Sequence, residues 1–200
     1  MKRKTDIKKI MKQKGLTELK AEIQLQAKNG IDFILSAGIL WLAISYIWTL
    51  EYTSYNRSIF TFIIGAILLP LTFGLSKILK TNWKVKDNPL QPLGLWLNFA
   101  QLIYFPFLIF ILIKYPDYFI MAYAIITGAH LFPYAWFYDE IGYAVWAIII
   151  SVGTLFITLN IEIEKIWIVP FFTSIMLFLL AGWILMRMKK QKNKTLHNNV

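Results

Sequence analysis

Six runs of 19 to 21 mostly apolar residues follow one another along this chain, at Ile31–Leu50, Ile59–Leu79, Leu93–Ile113, Tyr118–Phe137, Ile141–Leu159 and Ile166–Met186. At about 1.5 Å per helical residue, each is long enough to cross about 30 Å of hydrocarbon. Hydrocarbon offers the backbone no hydrogen-bond partners, so spans of this kind fold as helices. The pattern predicts an all-α polytopic integral membrane protein with six transmembrane helices. The turn Tyr138–Glu140 is so short that the fourth and fifth spans must form an antiparallel hairpin. Lys77 lies near the end of the second span, where its stem can reach the headgroups.

Charge supplies the orientation. The chain carries 21 Lys and Arg and a net charge of +10, which on a soluble surface could suggest nucleic acid. Here the basic residues sit in blocks between the apolar runs, so no nucleic-acid partner is expected. With six spans, the side holding both termini collects 18 of the 21 basic residues, and Arg57, Lys114 and Lys165 fall on the other. By the positive-inside rule both termini are expected in the cytoplasm. The organisation is then a basic cytoplasmic segment 1–30, a transmembrane domain 31–186 and a basic cytoplasmic tail 187–200. Hydrophobic residues make up 58% and charged residues 16%, far from the roughly 45–50% and 25% of soluble domains. The lack of cysteine excludes disulfides and thiolate chemistry.

The first 30 residues read as retained rather than cleaved, because the charged region is long and contains Asp6, Glu18 and Glu22. Leu16, Leu19, Ile23 and Ala27 recur at helical spacing, and Asn29-Gly30 supplies a C-cap. This predicts a short amphipathic helix on the anionic inner leaflet, with the basic prefix Lys2 to Lys14 attracted to acidic lipid. Docking to another protein is the alternative. Trp48, Tyr52, Tyr55, Trp83, Tyr115, Tyr118, Trp136 and Tyr138 fall near span ends and read as an interfacial aromatic belt.

Polar residues inside spans are costly and mark candidate sites. His130 is the one ionisable residue at depth, and Pro133 leaves the Ala129 carbonyl without its helical donor. In the third span Gly94, Asn98 and Gln101 share a face. Amides in such places bond across helices at about 0.6 kcal/mol and up to about 2 kcal/mol. The sharper expectation is one polar intramembrane site combining His130, Asn98, Gln101 and Pro133, with Tyr104 and Tyr134 nearby. Its bland counterpart is a neutral, hydrogen-bonded His130 beside a simple proline kink. Ala124 and Gly128 in the fourth span, and Ala147, Ser151, Thr154 and Thr158 in the fifth, form small-residue stripes that permit close packing. Pro70, Pro106 and Pro170 are expected to kink their spans. Asp32 is assigned to the edge of the first span, so no buried carboxylate is expected. No catalytic, cofactor-binding or metal-binding constellation is recognised.

Asn88-Pro89-Leu90, Leu93-Gly94, Asn98, Gln101 and Tyr104, then Gly128-Ala129-His130, Pro133-Tyr134, Tyr138 and Tyr143, together resemble an uncharacterised bacterial membrane family of this length, a domain-of-unknown-function family. Lys28-Asn29-Gly30 and Phe33-Ile34-Leu35 share the resemblance, which covers the chain from Leu16 to the sixth span. It implies a multi-pass protein of the bacterial plasma membrane and brings no activity. Three functions follow. One is a non-enzymatic accessory protein that binds another membrane component or a second copy of itself. Another is a small-solute or ion permeation protein using the His130 site. An intramembrane enzyme has the least support, since one histidine without a partner acid or nucleophile is incomplete.

Overall fold

The computed structural model describes residues 15–197, with side chains through residue 190. The basic prefix Lys2 to Lys14 lies outside the described residues. Among those described there are nine α-helices and no strand. They are α1 (Leu16–Ala27), α2 (Ile31–Thr49), α3 (Ser54–Ala66), α4 (Leu68–Leu79), α5 (Gln91–Leu102), α6 (Phe105–Lys114), α7 (Phe119–Phe137), α8 (Gly142–Asn160) and α9 (Ile168–His197). Six helical segments are long and apolar enough to cross a membrane. The chain is a multi-pass membrane protein in which α2, α3–α4, α5–α6, α7, α8 and α9 are the spans.

Two spans are broken, and proline chemistry explains where. Pro70 has no N–H for the carbonyl of Ala66, where α3 ends, and Pro106 has none for Leu102, where α5 ends. Pro133 and Pro170 behave otherwise: α7 runs unbroken through Pro133, and Pro170 lies in the first turn of α9, where no N–H is missed. The sixth span also continues helically to His197, beyond the expected boundary at Met186.

The hairpin of α7 and α8 is the best-packed part of the molecule. The two small-residue stripes meet there: Gly128 lies against Ser151 and Ile150, Ala124 and Thr154 are fully buried, and Ser151 Oγ donates to the Ile125 carbonyl at 3.3 Å. On the other side α9 packs along α8 and α2. Ser174 Oγ donates to the Gly38 carbonyl at 2.8 Å, and Ser45 Oγ to the Trp167 carbonyl at 3.1 Å. The second and third spans are peripheral. Of the most apolar 18 residues in the third span 6% are buried by protein, against 56% in the first. The helix α5 leans on α7, with Gly94 against the Phe137 ring, and stands off from α2.

Several aromatic residues are not in an interfacial belt. Trp48 is 1% exposed and its indole donates to Thr61 Oγ1 at 2.9 Å. Tyr138 is buried as well. Tyr52, Tyr55, Tyr115, Tyr118 and Trp136 are exposed, as that belt requires.

At the termini side, Glu140 is 1% exposed. Its carboxylate accepts from Trp183 Nε1 at 2.9 Å, Arg187 Nε at 3.3 Å and the Gly142 amide at 3.2 Å, tying the α7–α8 turn to α9. Glu140→Ala strands buried donors and is expected to cost about 2–4 kcal/mol in denaturation of the micelle-bound protein. Arg187→Met should cost about 1 kcal/mol or less, because the arginine side chain is 44% exposed and water replaces it. Equal losses would show that charge pairing, not donor satisfaction, dominates the turn.

Candidate functional site: a capped cavity in the termini-side half

The gap left between α2 and α5 is a cavity of about 360 Å³. Its walls come from α2, α5 and α7, with Gly65 and Leu68 at the break in the second span. Ile23 and Ala27 of α1, together with Trp83, Lys84 and Val85 of the α4–α5 loop, cover its termini-side end. A volume of this size lies within the roughly 300–1,000 Å³ range of small-molecule sites.

The amphipathic helix is therefore not laid on lipid as the sequence suggested. Leu19 and Ile23 are each 2% exposed and Ala27 is buried, so this face is turned into the protein. Hydrogen bonds hold it there. Asn88 Nδ2 donates to the Leu19 carbonyl at 2.8 Å and to Glu22 at 3.1 Å. The Asn82 amide donates to the Gln26 carbonyl at 2.8 Å, Lys28 Nζ donates to the Leu79 carbonyl at 2.7 Å, and Gln24 donates to the Tyr138 carbonyl.

The sequence-derived polar residues divide into two sets. His130, Asn98, Gln101 and Tyr134 line this one cavity. The His130 ring meets Tyr134 edge-on, with centroids 5.4 Å apart. Asn98 Nδ2 donates to the Gly94 carbonyl at 3.0 Å within its own helix, so it does not glue helices together. Tyr104, by contrast, is 54% exposed at the break between α5 and α6 and does not line the cavity. Pro133 does not line it either, and Ala129 is exposed, so the carbonyl released by Pro133 is not paired with the imidazole in a common pocket.

The structure adds a carboxylate. Asp32, in the first turn of α2, lines the cavity and is 0% exposed. It accepts from Thr81 Oγ1 at 2.5 Å, Trp83 Nε1 at 2.6 Å and the Phe33 amide at 3.0 Å. All three partners donate, as an ionised carboxylate requires. Among the described residues it forms no ion pair. The expectation of no buried carboxylate fails here, because the covering segments lie outside the spans, and at Glu140, where Trp183 and Arg187 of α9 close over the turn. The helix N-terminus gives Asp32 a favourable dipole, and Trp83 leaves the interface to reach it.

Beside Asp32 the backbone turns left-handed for three residues, Lys28, Asn29 and Gly30, with φ of 47°, 53° and 68°. This turns α1 out of line with α2, so that it meets the α4–α5 loop at Asn82 and Asn88. A Cβ on Gly30 would meet Tyr138 Oη at 3.0 Å and Tyr143 Oη at 3.2 Å, so glycine is needed for both conformation and space. Tyr134, Tyr138 and Tyr143 surround this corner with ring centroids 5.7–5.8 Å apart. Tyr143 Oη donates to the Asn29 carbonyl at 2.5 Å. Burial, reinforced by Tyr134 and Asp32, pushes the Tyr138 phenol well above its ordinary pKa, so it stays neutral. The Tyr134 hydroxyl is buried with no hydrogen-bond partner among the described residues.

The family model whose description reads "Family of unknown function (DUF7010)" matches residues 16–187. The chain belongs to that family. No curated protein and no solved structure matches it. The DUF7010 match begins at the first residue of α1 and ends at Arg187. It therefore takes in the helix that covers the cavity, the six spans and the residue that pairs with Glu140.

Proposed function

We propose that this chain is a membrane-embedded, non-enzymatic binding protein for a small, largely apolar solute with a polar head. The supporting observation is the single cavity in which Asp32, Asn98, Gln101, His130 and Tyr134 share a mostly apolar wall. Ligand sites have this composition: apolar area supplies affinity, and a few polar groups fix orientation. An accessory role in the bacterial plasma membrane suits the site if the solute is a signal. Carriage across the membrane is the second reading, favoured by the breaks at Ile67 and Ile103–Tyr104 in the two spans least held by protein. Both termini face the cytoplasm in either reading, so the end of the cavity that α1 and the α4–α5 loop cover lies toward that side. The acidic leaflet is the partner of the basic prefix.

His130 has no acid or hydroxyl hydrogen-bonded to it among the described residues, which favours binding over the activated-nucleophile arrangement of an enzyme.

Melting the purified full chain in maltoside micelles tests the binding reading. Three compact probes serve: uncharged neopentylbenzene, cationic benzyltrimethylammonium and anionic phenylacetate. A probe that occupies the native site at about 100 times its Kd adds about 2.7 kcal/mol of stability. At least one should raise the midpoint saturably, and Ala37→Phe or Thr127→Leu, which fill the cavity wall, should abolish the rise. If every probe moves wild type and filled variants alike, the reading is wrong.

A further inference from the structure

We propose that the head of the bound solute is an organic cation, an amine or quaternary ammonium, received between the Asp32 carboxylate and the aromatic rings beside it. This rests on the binding reading above and gives that site its ligand class. Among the described residues Asp32 is the one acidic side chain in the cavity wall, and no cation among them pairs with it. Its three hydrogen bonds satisfy lone pairs without supplying a positive charge, and an unpaired buried charge is costly. Lys84 also borders the cavity, but it is exposed and makes no ion pair with Asp32.

The surroundings favour a cation over a second hydrogen-bond donor of other kinds. The Trp83 indole is held by Asp32 at 2.6 Å, and its ring lies 5.0 Å from that of Phe33. Tyr134 and Tyr138 are stacked 5.8 Å apart on the same wall. Carboxylate plus aromatic faces is the recognised means of holding an ammonium group whose methyls prevent hydrogen bonding. A second, independent pointer to a polar head is the Tyr134 hydroxyl. Tyr134 is 7% exposed, lines the cavity and has no partner for that oxygen among the described residues, and the oxygen can accept from an amine or face the positive head of a quaternary one. A bare metal ion is a poorer fit, since no group of three or more metal-type ligands occurs among the described residues. The apolar remainder of the wall would take the carbon body of the solute.

The test compares benzyltrimethylammonium with neopentylbenzene, its carbon isostere of nearly equal shape. Binding is followed by tryptophan emission, to which Trp41 and Trp83 in the wall contribute. The cation should bind wild type about tenfold or more tightly than the isostere, a difference typical of a desolvated cation–π and carboxylate site. Asp32→Asn should remove that advantage while leaving the isostere's affinity within about twofold. Equal affinities for the two probes, or a cation affinity untouched by Asp32→Asn, overturn the proposal while leaving the cavity as a binding site. Failure of both probes, and of phenylacetate, to bind wild type overturns the binding reading itself.

Should Asp32→Asn not fold, a second measurement leaves Asp32 in place. The chain contains no cysteine, so Ala37→Cys provides a single thiol in the cavity wall. The trimethylammonioethyl and sulfonatoethyl methanethiosulfonates are compared on this thiol and on 2-mercaptoethanol in the same buffer, because the thiolate itself favours the cationic reagent. The cation-to-anion rate ratio at Ala37→Cys should exceed the ratio for the free thiol about tenfold. A ratio equal to or below that of the free thiol rejects the cationic head.

Discussion

Asp32→Ala is expected to lower the unfolding free energy by about 3–5 kcal/mol, the largest loss from any single polar truncation in this chain. The substitution strands the Thr81 hydroxyl, the Trp83 indole N–H and the Phe33 amide together. Each buried donor without an acceptor costs about 1–3 kcal/mol. The damage should be local in origin and global in effect. Trp83 and Thr81 would be released, the α4–α5 loop would loosen, and the Asn82 and Asn88 contacts that hold α1 would weaken. Asp32→Asn keeps an oxygen acceptor for the two shortest bonds and should cost about 1–2 kcal/mol. Denaturant titration in micelles, with limited proteolysis before Gly30, reads both effects. A loss under about 1 kcal/mol for Asp32→Ala would mean that water reaches these donors freely.

Gly128→Val should be nearly as harmful, by about 3 kcal/mol or more, for a reason of space alone. A Cβ at Gly128 would lie 2.6 Å from Ser151 Oγ and 2.9 Å from Ile150 Cγ2. Ser151 can rotate, but Ile150 is fully buried and β-branched, so the α7–α8 pair must separate. Gly74 is the control. A Cβ there meets nothing within 4 Å, so Gly74→Ala should be neutral or gain up to about 1 kcal/mol from helix propensity. Thermal melts of the two variants in the same micelle check the contrast, and a harmless Gly128→Val would show that the hairpin is loose.

The spans were legible because hydrocarbon imposes one rule on every residue inside it, and six long apolar runs leave little choice of fold. The stripes Ala124–Gly128 and Ala147–Ser151–Thr154 were legible for a related reason, since helices approach closely only where side chains are small. The cavity was legible in part. His130, Asn98 and Gln101 stand out as polar groups inside apolar runs, but Tyr104 follows them only if the third span is continuous. Pro106 breaks the helix one turn earlier and turns Tyr104 outward.

The burial of Asp32 is not legible in the sequence, because position along a span does not fix depth in the protein. A residue at a span's first turn looks exposed to headgroups unless another segment covers it. Here α1 and the loop through Trp83 fold over it, and the signal for that was available in hindsight. Leu19, Ile23 and Ala27 form an apolar face that lipid or protein could equally cover. Lys28-Asn29-Gly30 breaks the helix, and the bend there turns that face toward the cavity and the α4–α5 loop. Nothing in local spacing distinguishes the two coverings. The same limit hid Trp48 and Tyr138, whose positions at span ends suit an interfacial belt but whose rings are buried.

The most direct measurement is solvent access to a thiol placed in the cavity, set against one on the lipid-facing surface. Ala37 lines the cavity on α2, whereas Ile148 on α8 is 56% exposed on the outside of the bundle. In an otherwise cysteine-free chain, Ala37→Cys should react with a water-soluble methanethiosulfonate, and benzyltrimethylammonium should slow that reaction saturably. Ile148→Cys should react slowly, with no protection by the cation. A cavity thiol as unreactive as Ile148→Cys, or one whose labelling the cation leaves unchanged, would contradict a solute-binding cavity in this half of the membrane.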